Sequence, residues 1–66
     1  MKIFVNGALA DCEEEFTVED LVQCHALSPE TTLVELNGVA LRRREWVART
    51  LRDNDRLEIL GVAAGG

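Results

Sequence analysis

Tyrosine is absent from this chain, and histidine, tryptophan, proline and methionine occur once each. With His25 the lone imidazole, the side chains most often recruited as general acids and bases are nearly missing, so self-contained catalysis is not expected. The two cysteines, Cys12 and Cys24, stand in no metal-ligand spacing. Cys24 and His25 are adjacent, and neighbours on a helix project about 100° apart rather than towards each other. No metal site or Cys-His nucleophile is expected, and in a reducing compartment the cysteines read as free thiols or small core residues, not as a disulfide.

Long apolar runs are also lacking. No stretch approaches the roughly 18 residues needed to cross a bilayer, and the opening Met1-Lys2-Ile3-Phe4-Val5-Asn6-Gly7 turns polar too soon for a signal peptide. These features predict a cytoplasmic protein without a membrane partner. Basic residues are few: 7 Lys and Arg against 12 Asp and Glu give a net charge of -5. That balance disfavours nucleic acid, whose affinity for proteins comes largely from Lys and Arg neutralising phosphates. The one basic cluster, Arg42-Arg43-Arg44, has only Trp46 nearby for base stacking and reads as a solvated turn. At 66 residues the chain is one domain at most, and domains this small bury only about 60% of their unfolded surface, which argues against a deep enzyme pocket.

What is present suffices for a core, since 47% of residues are hydrophobic and are spread along the chain. Ile3 and Val5 alternate with Lys2, Phe4 and Asn6, the period-two signature of a half-buried strand. Asn6-Gly7 tolerates the positive φ of a tight hairpin turn, and Ala8 to Glu15 is expected to return antiparallel. Thr17, with Asp20 three residues on, is a helix N-cap. Val18, Leu21, Val22 and His25 follow at helical spacing until Ser28-Pro29 closes the segment. Thr31 to Asn37 reads as a strand with Val34 and Leu36 inward and Leu33 and Glu35 outward, followed by an Asn37-Gly38 turn and a short return over Val39 to Leu41. Arg44 to Leu51 is expected to be a helical turn or irregular loop pinned to the core by Trp46, Val47 and Leu51. Asp53-Asn54-Asp55 is a turn in which Asn54 takes the left-handed region. Arg56 to Leu60 alternates with Leu57 and Ile59 inward. This order predicts an α+β domain over 1–60: a mixed sheet of four to five strands with one helix packed across it.

After Leu60 come Gly61-Val62-Ala63-Ala64-Gly65-Gly66, small residues with nothing bulky to pack, which predict a flexible tail over 61–66. Two final glycines have a chance expectation on the order of one in 200 from average composition. Chain ends are often small and frayed, yet a compact body followed by a thin, unbranched peptide is also the shape that enters a narrow enzyme channel. Glycine, lacking Cβ, allows close backbone approach by a partner.

The chain resembles the ThiS-type sulfur carriers of thiamine (thiazole) biosynthesis, ubiquitin-like proteins of the β-grasp fold. The resemblance runs through Ile3-Phe4-Val5-Asn6-Gly7, Thr17-Val18-x-x-Leu21, Val34-x-Leu36-Asn37-Gly38, Arg43-x-x-Trp46, Leu51-x-Asp53-x-Asp55, Leu57-Glu58-Ile59 and Ala64-Gly65-Gly66. It implies that the working group is the α-carboxylate of Gly66. A ThiF-like enzyme would adenylate it with ATP, a sulfur donor such as a cysteine desulfurase would help convert it to a thiocarboxylate, and a ThiG-like thiazole synthase would receive the sulfur. The carrier itself would be no enzyme and would bind no cofactor. Ala63, Ala64 and Gly65 would be gripped with the tail, and the open sheet face, with Phe4, Leu33 and Leu60 and with Val62 along the exit, would dock the partners. Two departures stand out. Asp53-Asn54-Asp55 replaces the family's usual Asp-Gly-Asp, and Arg42 stands where a proline often precedes the arginine. Carriers for molybdopterin, cysteine or tRNA thiolation share the body and the diglycine, although the molybdopterin type tends to have prolines before it and residues 61–64 contain none. A ubiquitin-like protein modifier and a plain interaction module are the other readings.

Overall fold

Both Asn-Gly pairs adopt the doubly left-handed geometry that closes a two-residue hairpin. Asn6 and Gly7 lie at φ 51° and 82°, and Asn37 and Gly38 at φ 52° and 83°. In the computed structural model, which describes residues 1–25 and 28–61, they join β1 (Lys2–Val5) to β2 (Ala8–Asp11) and β3 (Thr32–Leu36) to β4 (Val39–Leu41). The last strand, β5 (Arg56–Gly61), enters between the two hairpins, parallel to β1 and antiparallel to β3. The result is a five-stranded mixed sheet in the order β2-β1-β5-β3-β4.

The expected return strand over Ala8 to Glu15 is shorter than the sequence predicts. Its ladder ends at Cys12, whose N–H donates to the Met1 carbonyl at 3.0 Å, and the acidic Glu13-Glu14-Glu15 run beyond it stays out of the sheet. The chain leaves in a turn in which Glu15 takes φ 65°. Helix α1 (Val18–Cys24) begins where the cap pattern places it. The Thr17 hydroxyl accepts from Asp20 N–H at 3.1 Å, and the Asp20 carboxylate accepts from Thr17 N–H at 2.9 Å. It ends before Ser28-Pro29, because His25 closes it: His25 N–H donates to both the Leu21 and Val22 carbonyls at 3.2 Å, the bifurcated pattern of a final turn.

Alternation sorts the sheet into a buried and an open face. Ile3, Val5, Val34, Leu36, Leu57 and Ile59 meet Val18, Leu21 and Val22 of α1 in one apolar cluster. A four-residue helix, α2 (Arg43–Trp46), resolves the segment expected to be a helical turn or loop, and Trp46 and Leu51 are buried as anchors. Val47 is not an anchor. It is 62% exposed, because the residue after Trp46 on so short a helix is rotated about 100° away from the face that Trp46 buries. β5 continues through Gly61, one residue past the boundary drawn at Leu60, by pairing with Thr32.

The two hairpin asparagines do more than permit a turn. Asn6 Oδ1 accepts from Ile59 N–H at 2.7 Å and its Nδ2 donates to the Ile59 carbonyl at 3.1 Å, so the side chain acts as one further residue of β1 along β5. Asn37 Oδ1 accepts from Arg56 N–H at 2.9 Å, while its Nδ2 donates to Asp55 Oδ1 at 3.0 Å. Buried Asp55 also accepts from Arg52 N–H at 2.7 Å. In the turn before Asp55, Asn54 takes the left-handed region at φ 71°, and its N–H donates to the Lys2 carbonyl at 2.6 Å.

Replacing Asn6 separates its two roles. Asn6→Ala loses both bonds to Ile59 and strains a left-handed position, and is expected to lower the unfolding free energy by about 2–3 kcal/mol. Asn6→Gly keeps the backbone relaxed and should lose only about 1–2 kcal/mol. Urea denaturation of both variants measures the difference, and equal losses would eliminate the backbone contribution.

Candidate functional site

Gly61 is the last described residue, and it leaves the sheet opposite Thr32 at the start of β3. Val62, Ala63, Ala64, Gly65 and Gly66, the residues expected to carry the tail chemistry, lie outside the described residues. The structure therefore positions the platform from which they depart. Antiparallel register sets Leu60 directly across from Leu33, at 53% and 56% exposure. Side chains on one face of such a pair touch, so these two form an apolar step on the open face, one residue before the exit.

Phe4 does not join that step. It pairs with Arg56, whose guanidinium lies over the ring 4.5 Å from its centroid, and Phe4 is half-buried. From Arg56 to Leu60 the strand climbs about 13 Å at the usual rise per residue. The row between belongs to Glu58 and Glu35, exposed and opposed in register. The open face is thus two apolar ends divided by an acidic row, not the single patch that alternation predicts. The end near Phe4 includes Leu9, its partner across β1 and β2, 61% exposed. Sequence reading missed Leu9 because the hairpin register that brings it opposite Phe4 is set by the turn.

The loop feeding β3 is knit beneath the exit. The Ser28 carbonyl accepts from Thr32 Oγ1 at 2.6 Å, and Ser28 Oγ donates to Glu30 at 2.9 Å. The Glu30 carboxyl is held below its ordinary range by its own backbone amide, then by Ser28 and by Arg43, whose guanidinium is 3.9 Å away. At the other end of the sheet, Lys2 Nζ binds Asp11 at 3.0 Å and holds that carboxyl low.

Both cysteines are free. They line one hollow of about 390 Å³ with Ala10, Phe16, Leu21 and His25, between the end of β2 and the end of α1. Burial pushes the Cys12 thiol up, whereas Cys24 is exposed. His25 Nδ1 lies 2.9 Å from the Leu21 carbonyl, so that nitrogen is engaged within its own helix. Among the described residues no three or more His, Cys, Asp and Glu side chains are grouped to hold a metal, and no helix is long and apolar enough to cross a membrane.

Against this geometry, residues 3–66 match the model of the ThiS family. The crystal structure of the thiamine biosynthesis protein ThiS from Geobacter metallireducens superposes with a TM-score of 0.84 at 33% identity, covering all of both chains. A solution structure of a thiamine biosynthesis protein from the same organism gives 0.81 at 35% identity, covering all of this chain and 88% of the other. A thiazole synthase of Magnetococcus marinus is 32% identical over all 66 residues, which span 20% of that larger protein. The sheet order and overlying helix are those of the β-grasp fold.

Unequal environments predict unequal thiols. With iodoacetamide near neutral pH, Cys24 should be alkylated first and Cys12 several-fold more slowly, since burial both raises the Cys12 thiol and restricts access to it while Cys24 is exposed. Intact-mass time courses of Cys12→Ser and Cys24→Ser assign each phase. Equal rates would show that the hollow does not shield Cys12.

Proposed function

The chain belongs to the ThiS family, and from that membership we propose that it is a sulfur carrier of thiazole biosynthesis whose Gly66 carboxylate is the loading site. A carboxylate is a poor electrophile. Transfer of the adenylyl group of ATP to it by a ThiF-like enzyme gives an acyl-adenylate and pyrophosphate, and attack by reduced sulfur at the carbonyl then expels AMP and leaves a thiocarboxylate. That soft nucleophile delivers sulfur within a ThiG-like synthase. The chain contributes no catalytic group; it is the substrate of its partners, and it binds none of the ATP itself.

The observation that carries this reading is the family match extending through Gly65-Gly66. The geometry supports it further. β5 is the central strand of the sheet, paired with β1 at Arg56 and Leu57 and with β3 through Gly61, so the tail departs from a strand anchored in the middle of the fold. A Cβ added at Gly61 would meet nothing within 4 Å, so the fold does not demand glycine there, and the space beside the exit is open to a partner. A segment like this chain makes up 20% of a protein named thiazole synthase, which favours a thiazole synthase among the partners over the molybdopterin, cysteine and tRNA routes.

Loading is read directly by mass. Protein isolated from its own host should include a species heavier by the difference between sulfur and oxygen, lost on alkaline hydrolysis and absent from a Gly66→Ala variant. High-mass lysine adducts in its place would identify a protein modifier, and an inert tail would identify an interaction module. Docking is read by titration. Leu60→Ala and Leu33→Ala should each weaken binding to the adenylating enzyme by about tenfold or more. Phe4→Ala, beyond the acidic row, should weaken it less; equal effects would restore a single continuous patch.

A further inference from the structure

Five of the seven basic residues of this acidic chain fall within residues 42–52, accompanied by one acid, Glu45. Arg42, Arg44, Arg49 and Arg52 are all exposed, and among the described residues none of them forms a salt bridge. Arg43 has only the long, exposed contact to Glu30 at 3.9 Å. Crowded like charges repel, and a chain with 12 carboxylates could have neutralised them. The fold instead keeps the two signs apart.

The segment is also rigidly placed. Trp46 and Leu51 are buried, Glu45 accepts from Arg42 N–H at 2.8 Å and so closes the start of α2, and the Arg49 carbonyl accepts from Val18 N–H at 3.0 Å. Between these anchors lies a shallow hollow of about 500 Å³ lined by apolar Leu41 and Ala48, by Arg44 and Arg49, and by Glu45, whose carboxylate is engaged with Arg42 N–H. Arg42 continues β4 in extended conformation, at φ -76° and ψ 150°. One step past the Val34–Leu41 pair, that register sets it beside Leu33. The arginines therefore wrap the β4 edge from the apolar step at the exit round to the hollow.

We infer that this edge is a docking site for an acidic segment of a partner protein, one that places an apolar side chain on Leu41 and Ala48 and flanking carboxylates on Arg44 and Arg49. Guanidinium forks pair bidentately with carboxylates, and the apolar lining selects a peptide over a bare polyanion. Charge complementarity of this kind chiefly speeds encounter and fixes orientation. The site is separate from the tail chemistry and does not depend on it.

The test uses a capped peptide of alternating glutamate and leucine as probe, titrated into the ¹⁵N-labelled full chain. Saturable amide shifts are expected, concentrated at residues 41–49, together with a change in fluorescence of Trp46, the sole tryptophan. Added salt should weaken binding, and Arg44→Glu with Arg49→Glu should weaken it by at least about tenfold. Should the charge reversals unfold the chain, Arg44→Gln with Arg49→Gln removes the guanidiniums without introducing repulsion and should weaken binding in the same direction. An oligoglutamate without leucine, and a single-stranded oligonucleotide of equal charge, should bind more weakly. Absence of saturable shifts in 41–49, unchanged affinity in the glutamine variant, or equal binding of the oligonucleotide would each overturn the assignment.

Discussion

The structure depends on β5 being held from both sides at a fixed register. Backbone ladders to β1 and β3 supply most of the hold, and two asparagine side chains supply the ends. Asn37 fixes Arg56 where the strand begins, and Asn6 fixes Ile59 near where it finishes. A slip of one residue would turn Leu57 and Ile59 out of the core and Glu58 into it. The same register decides which side chains stand beside the exit, so core packing and tail presentation are set by one constraint.

That constraint gives the open face its segregated character. Leu33 and Leu60 meet because β3 and β5 are antiparallel, whereas Glu35 and Glu58 meet by the same rule one row down. Like charges opposed across strands are unfavourable, and they persist here on a face that no other element covers among the described residues. Apolar step, acidic row and arginine edge lie in successive positions around one end of the sheet. A partner that fits all three is oriented as well as bound.

Much of this was legible in the residues. Period-two alternation in Lys2–Val5 and Thr32–Leu36, the Thr17–Asp20 cap and the Asn-Gly turns are local signals, each with a local physical cause, and they predict the helix and four to five strands, of which the structure has five. The losses came where distant segments decide the outcome. β2 stops where the chain turns away at Glu14 and Glu15, Val47 points away because the face of α2 that buries Trp46 is rotated from it, and Phe4 stands apart because a parallel pairing sets it opposite Arg56 rather than Leu60. The second role of Asn6 and Asn37 was equally hidden. Sequence shows that they tolerate positive φ but not that their amides reach a strand some twenty to fifty residues away. The ordered set of motifs identified the family, while the tail chemistry was read from residue type and resemblance alone.

The parallel pairing of β1 with β5 also has a temporal side. Phe4 finds its neighbour only when Arg56 has been synthesised, and contacts of such separation are made late and slowly because a long loop must close first. Until then β1 and β3 each expose an edge to the cell. A nascent or truncated chain without β5 lacks both the strand that joins the two hairpins and the register that sets Leu60 beside Leu33.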